Sequence, residues 1–228
     1  MATGIYQLID AALVQQARFD NIAHNMANTA TNGYKKDVFT FEEAYSSIAN
    51  STIDFTVGPI IQTGNSLDLA LEGPGFFKVQ TSQGFRYTRD GAFALNRERM
   101  IVTQSGDQIL GQNGPIAVEG EQVSIDRNGQ VFSDGQLAGQ IAVVNVDDTR
   151  LLSKEGRSLY RYEGDQGGIK TAADPGIRQR YLEKSNVIAT EEMVKMIETF
   201  RAFESVQKAI QSIDEMVTKM INDPGLAQ

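Results

Sequence analysis

Apolar residues recur every seven positions at both ends of this chain, and nearly all of its glycine lies between those ends. Near the N-terminus Ile5, Ala12, Phe19 and Met26 are seven apart, with Leu8, Ile9, Ile22 and Ala23 filling the same stripe. Near the C-terminus Met196, Phe203, Ile210 and Val217 repeat the spacing, Val206, Ile213 and Met220 follow by three, and Met193 and Phe200 widen the stripe. Eighteen of the 21 Gly fall from Gly58 to Gly176. This pattern predicts helices over 3–28 and 189–221, closing the chain around a body of strands and turns.

The local signals agree. Thr3 is an expected N-cap of the first helix, and Asn32-Gly33 supplies residue types that end a helix in a left-handed conformation. Thr190, Glu191 and Glu192 suit the start of the second helix, and Asn222-Asp223-Pro224-Gly225 its end. The two faces differ. Asp10, Arg18 and Asp20 are the formal charges of the first helix, whose outer positions are otherwise Ala, Gln, Asn, Thr and His24. The second carries Glu191/Lys195, Glu204/Lys208 and Glu215/Lys219 at the spacing of helical ion pairs. A face so poor in charge is cheaply buried against several neighbours, so intermolecular assembly is expected of the first helix.

Residues 37–63 read as a linker with extended pieces: Phe39, Phe41 and Tyr45 precede a polar stretch, 46–52. From 64 to 181 short apolar runs alternate with turn signals. Phe76-Phe77-Lys78-Val79-Gln80 and Phe85-Arg86-Tyr87-Thr88 form an expected hairpin across Ser82-Gln83-Gly84. Asn128-Gly129 joins Val123-Ser124-Ile125 to Gln130-Val131-Phe132. No helical period of useful length interrupts this region, which reads as one all-β domain.

Composition excludes several classes. A net charge of −8 and the absence of any Lys/Arg-rich run argue against nucleic acid as a partner. The sequence has no Cys, so disulfides and thiolate metal sites are out of reach. No window approaches the roughly 20 apolar residues of a membrane span, and the N-terminus lacks a basic segment followed by an unbroken apolar one, so no classical signal peptide is expected. The single His24 offers little to nucleophilic or metal catalysis, and the adjacent acids Glu42-Glu43, Asp147-Asp148 and Glu191-Glu192 point apart in any regular structure. Gly73-Pro74-Gly75 lacks the pattern of a phosphate loop and precedes a strand. No catalytic, cofactor or metal residues are expected.

Three stretches carry a resemblance. Asn21-Ile22-Ala23-His24-Asn25-Met26-Ala27-Asn28-Thr29-Ala30-Thr31-Asn32-Gly33-Tyr34-Lys35 is similar to the N-terminal signature of the flagellar basal-body rod and hook family. Leu182-Glu183-Lys184-Ser185-Asn186-Val187, followed by Glu192-Met193-Val194 and Arg201-Ala202-Phe203-Glu204, resembles its C-terminal signature. Between them Gly64-Asn65-Ser66-Leu67-Asp68-Leu69-Ala70-Leu71, Gly75-Phe76-Phe77 and Tyr87-Thr88-Arg89-Asp90-Gly91 look like the core of members that carry a β domain. Residues 108–116, the short 34–63 segment and the modest length resemble proximal rod members more than distal rod or hook members.

The resemblance implies an α+β fold in which N- and C-terminal helices, residues 1–36 and 182–228, form a discontinuous coiled-coil layer around the inserted all-β domain, 64–181. It further implies a structural subunit of the rod crossing the periplasm, passed through the flagellar type III export apparatus without a cleaved signal peptide. Its partners would be other copies of itself and neighbouring proximal and distal rod proteins, and it would transmit motor torque without turnover. The expected assembly residues are Ile5, Leu8, Ala12, Phe19, Ile22 and Met26 with Met196, Phe200, Phe203, Ile210, Ile213 and Val217. The expected family-signature residues are Asn25, Asn28, Thr31, Gly33, Tyr34, Ser185, Asn186 and Val187. From residues alone, a secreted adhesin-like module whose helices merely pair with each other is the rival reading, and a carbohydrate-active enzyme a weaker one.

Overall fold

The structure, a computed structural model, describes residues 2–40, 50–156 and 158–222. Phe41, Tyr45, the Glu42-Glu43 pair and the expected stop at Asp223-Pro224-Gly225 lie outside these residues, as do the side chains of Ile5 and Met220. The chain divides into two compact units: one of residues 1–27, 37–52 and 188–228, the other of 28–36 and 53–187.

The first unit holds the helices α1 (Ala2–Ala27) and α2 (Ala189–Asn222) and the short strand pair Asp37–Thr40 with Asn50–Ile53, the last residue of which belongs to the second unit. α1 starts one residue before the expected cap, so Thr3 lies within it. The helices pack on each other through part of their stripes: Ile22 is buried, while Leu8, Ala12 and Met26 on α1 and Met196, Phe203, Ile210, Ile213 and Val217 on α2 are half-buried. The expected coiled-coil layer around an inserted β domain is not what the chain forms. The described residues hold two α-helices, Ala2–Ala27 and Ala189–Asn222, with a mostly β region between. One pair of helices makes one seam, and a layer needs more helices than the described residues supply. Nor does Lys195 pair with Glu191 across i,i+4; its ammonium meets the Glu192 carboxylate, one turn back, at 2.6 Å.

The second unit is antiparallel β. Its largest sheet runs, by neighbouring strands, Leu152–Glu155, Leu159–Tyr162, Gly84–Thr88, Phe76–Thr81, Gln108–Gly111, Ile101–Thr103 and Phe93–Leu95. Val143–Val146 joins Phe76–Thr81 from the side. The Phe76–Thr81/Gly84–Thr88 hairpin is the expected one, in the register Phe77 opposite Thr88. Asn128-Gly129 turns Val123–Ile125 back on Gln130–Ser133, to which Gln136–Gln140 adds a third strand.

Successive side chains of a strand face opposite ways, so two buried neighbours place the sheet between two apolar layers. Phe77, Val79, Ile109, Ile141 and Val143 meet Leu69, Phe93, Val131 and Ile177 on one side. Phe76 and Val144 meet Tyr87, Leu152 and Tyr160 on the other, where the rings of Phe55, Phe76 and Tyr160 stack edge to face 5.4–5.7 Å apart.

Candidate functional site

Glu183 ends the strand Tyr181–Glu183, which pairs with Ile60–Gln62, and its side chain is fully buried. A buried carboxylate has to be matched, because desolvation of an unpaired charge costs far more than a surface pair returns. It is matched from three directions. Lys35 Nζ donates to Oε1 at 2.5 Å, the Gly58 N–H donates to the same oxygen at 2.9 Å, and Arg89 Nη1 donates to Oε2 at 3.2 Å. Lys35 Nζ also donates to the Thr56 carbonyl at 2.6 Å, and Arg89 Nη2 to the Gly73 carbonyl at 2.7 Å, with the guanidinium over the Phe76 ring. Burial pushes both Lys35 and Arg89 below their ordinary values, and the Glu183 carboxylate pulls each back toward the charged form.

The backbone is knitted around this cluster. Gly33 N–H donates to the Glu183 carbonyl at 2.8 Å, Asn186 N–H to the Tyr34 carbonyl at 3.3 Å, and Lys184 N–H to the Pro59 carbonyl at 2.8 Å. Asn186 binds two segments with its amide: Oδ1 accepts from Lys36 N–H at 2.7 Å, and Nδ2 donates to the Asp54 carbonyl at 2.8 Å. Gly33, at φ +64°, lies so close to Arg89 and Asp90 that an added Cβ would stand 2.3 Å from the Arg89 carbonyl carbon. At Gly58 the same atom would stand 2.1 Å from the Lys184 oxygen. Both positions require glycine. We call this closed arrangement of 28–36, 53–59, residues 89–90 and 182–187 the clasp.

Of the expected signature residues, the clasp gathers Asn28, Thr31, Gly33, Tyr34, Ser185, Asn186 and Val187, with Tyr34, at 0% exposure, wholly enclosed. Thr31 Oγ1 donates to Asn28 Oδ1, and Val187 N–H to Ser185 Oγ. Asn25 lies instead in the helical unit, where its amide duplicates a β-ladder pair: Nδ2 donates to the Asp37 carbonyl at 2.8 Å and Oδ1 accepts from Asp37 N–H at 2.9 Å. His24 Nδ1 stands 3.6 Å from the Asp37 carboxylate. Lys35, Arg89 and Glu183 were not singled out from the sequence. Each does lie inside one of the stretches that carry the family resemblance, beside another charged residue: Lys36, Asp90 and Lys184.

The helical unit offers a second kind of site. Besides the seam, Tyr6 (67% exposed), Ile9 and Leu13 (58%) lie open on α1, and Met193, Val194, Ile197 and Phe200 (54%) on α2. Phe19, expected in the stripe, is also exposed. Among the described residues no group of three or more His, Cys, Asp or Glu could hold a metal ion, and no helix is long and apolar enough to cross a membrane.

The chain thus combines an antiparallel β unit, closed by a buried clasp, with a helical unit that keeps apolar side chains open, the features of a structural subunit. Two family models match: the flagellar hook protein FlgE/F/G D1 domain over residues 70–133, and the flagellar basal body rod FlgEFG protein C-terminal over 178–223. The chain is 34% identical to the flagellar basal-body rod protein FlgF of Caulobacter vibrioides over 95% of each protein. It is 32% identical to the flagellar basal-body rod protein FlgG of Bacillus subtilis, covering 97% of this chain and 99% of that one. A FlgF of Rhizobium meliloti is 26% identical over 99% of each. The chain belongs to the flagellar basal-body rod protein family.

Proposed function

We propose that this chain is a structural subunit of the proximal part of the bacterial flagellar rod, assembling through its terminal helices with other copies of itself and with neighbouring rod proteins so as to transmit motor torque. The observation that carries this reading is the apolar surface left over on α1 and α2 after they have paired. Burying a side chain such as Leu13 or Phe200 against a neighbour is worth about 1.5–3 kcal/mol each. Formal charge on α1 is confined to Asp10, Arg18 and Asp20, so little desolvation opposes the contact. The seam residues Leu8, Ala12, Ile22 and Met26, with Met196, Phe203, Ile210, Ile213 and Val217, hold the pair, and the outer faces with Phe19 and Phe200 meet neighbours. Delivery through the flagellar type III export apparatus to a rod crossing the periplasm belongs to the same reading, which involves no cofactor and no turnover.

The full-length likeness to a FlgF supports the proximal position, and the comparable likeness to a FlgG makes the distal rod the second reading. Leu13→Glu and Phe200→Glu test the interface. Each variant should fold, retain the β signal in circular dichroism, and fail to enter isolated basal bodies, leaving cells non-motile. Normal motility with both variants incorporated would overturn the assignment. Labelled subunits imaged in basal bodies decide between the proximal and distal positions.

A further inference from the structure

The backbone passes between the helical unit and the β unit at four places: 27/28, 36/37, 52/53 and 187/188. In sequence these are scattered over 160 residues. In the β unit all four crossings lie at the ends of three segments that run directly into the clasp. Residues 28–36 bring Gly33, Lys35 and Lys36; residues 53–59 bring Asp54, Thr56 and Gly58; residues 182–187 bring Glu183, Lys184 and Asn186. Two side chains join all three segments: Glu183 holds Lys35 and Gly58, and Asn186 holds Lys36 and Asp54.

We propose that the clasp is a single latch, with Glu183 and Asn186 as its ties, through which every backbone connection from the helical unit is fastened to the β body as one cooperative unit. If the ties were independent, each segment would loosen alone. Shared side chains make the opening collective, because removing Glu183 leaves Lys35 and Arg89 buried together without their counter-charge. The mechanical meaning rests on the rod reading: force carried along the backbone from helices to β body arrives at this latch. The latch itself stands on the hydrogen bonds alone and is tested without a flagellum.

Six backbone N–H groups report on it: Gly33, Lys36, Asp54, Gly58, Lys184 and Asn186, each donating across the clasp. The N–H groups of Ile101 and Ala142, bonded to Ile116 and Leu110, report on the β core. The experiment is hydrogen exchange of the purified full chain and of Glu183→Gln, which keeps the shape and removes the charge. The six reporters should accelerate together by roughly 100-fold or more while the core reporters hold their rates. Asn186→Ala, which strands no buried charge, should accelerate the same six by about tenfold. Acceleration limited to Gly33 and Gly58 in Glu183→Gln, unchanged rates in either variant, or equal acceleration of Ile101 and Ala142 would each overturn the proposal. Unaltered exchange with non-motile cells would count against the latch and leave the rod reading standing; cooperative opening with normal rods would do the reverse for its mechanical role.

Discussion

A methyl group at Gly33 would lie 2.3 Å from one backbone atom and 2.4 Å from the next, whereas at Gly64, also at positive φ, it would meet nothing within 4 Å. The two positions therefore separate backbone strain from close approach. Gly64→Ala should cost about 1–2 kcal/mol, the strain of a left-handed Ala, and Gly33→Ala clearly more, read as the difference in urea unfolding free energy. Asp90, beside Gly33, makes a second prediction. Burial first, and Asp68 next, push its carboxyl above the ordinary 3.8, against the Ala92 N–H and Lys184. Between 3.8 and the raised value the folded state binds more proton than the unfolded one, so this group lowers stability as pH rises through that window. Asp90→Asn, able to keep the acceptor for Ala92 N–H, should be more stable than the parent at neutral pH and lose that advantage below pH 3.8. Thermal unfolding across pH reads both limbs.

Strands and helices reward different parts of the same sequence. Phe77 is fully buried and packs edge to face on Phe93 at 5.1 Å, so Phe77→Ala should cost about 3–5 kcal/mol. Leu137, on the strand Gln136–Gln140, is 62% exposed, and Leu137→Ala should fall within about 0.5 kcal/mol of the parent, both by chemical denaturation. Elements of this kind were legible in the sequence because their causes are local: the seven-residue spacing fixed α1 and α2 to within a residue or two, and Asn128-Gly129 fixed its turn. The coiled-coil layer was implied by the resemblance and had no such local cause, since heptad spacing gives the apolar side of a helix without saying how many partners it meets. The clasp was out of reach for another reason. Lys35 and Glu183 are 148 residues apart, and charged residues read one at a time look like surface. The signature residues were found as motifs, yet only the fold brings Asn186 onto Lys36 and Asp54.

At the scale of the whole molecule, contacts of very different span coexist. The Phe76–Thr81/Gly84–Thr88 hairpin closes over a few residues, while the clasp joins the beginning of the β unit to its end. Loop closure makes long-span contacts late ones. In pulse-labelled refolding, the Ala142 N–H should be protected before those of Gly33 and Gly58; simultaneous protection would show a single concerted step. The span of that closure also sets a schedule. A chain delivered N-terminus first, from a ribosome or through a narrow channel, holds Gly33, Tyr34 and Lys35 ready long before Glu183 and Asn186 arrive. Until those later residues emerge, the N-terminal helix has no fastened root, and the arrival of residues 183–186 becomes the event that anchors it.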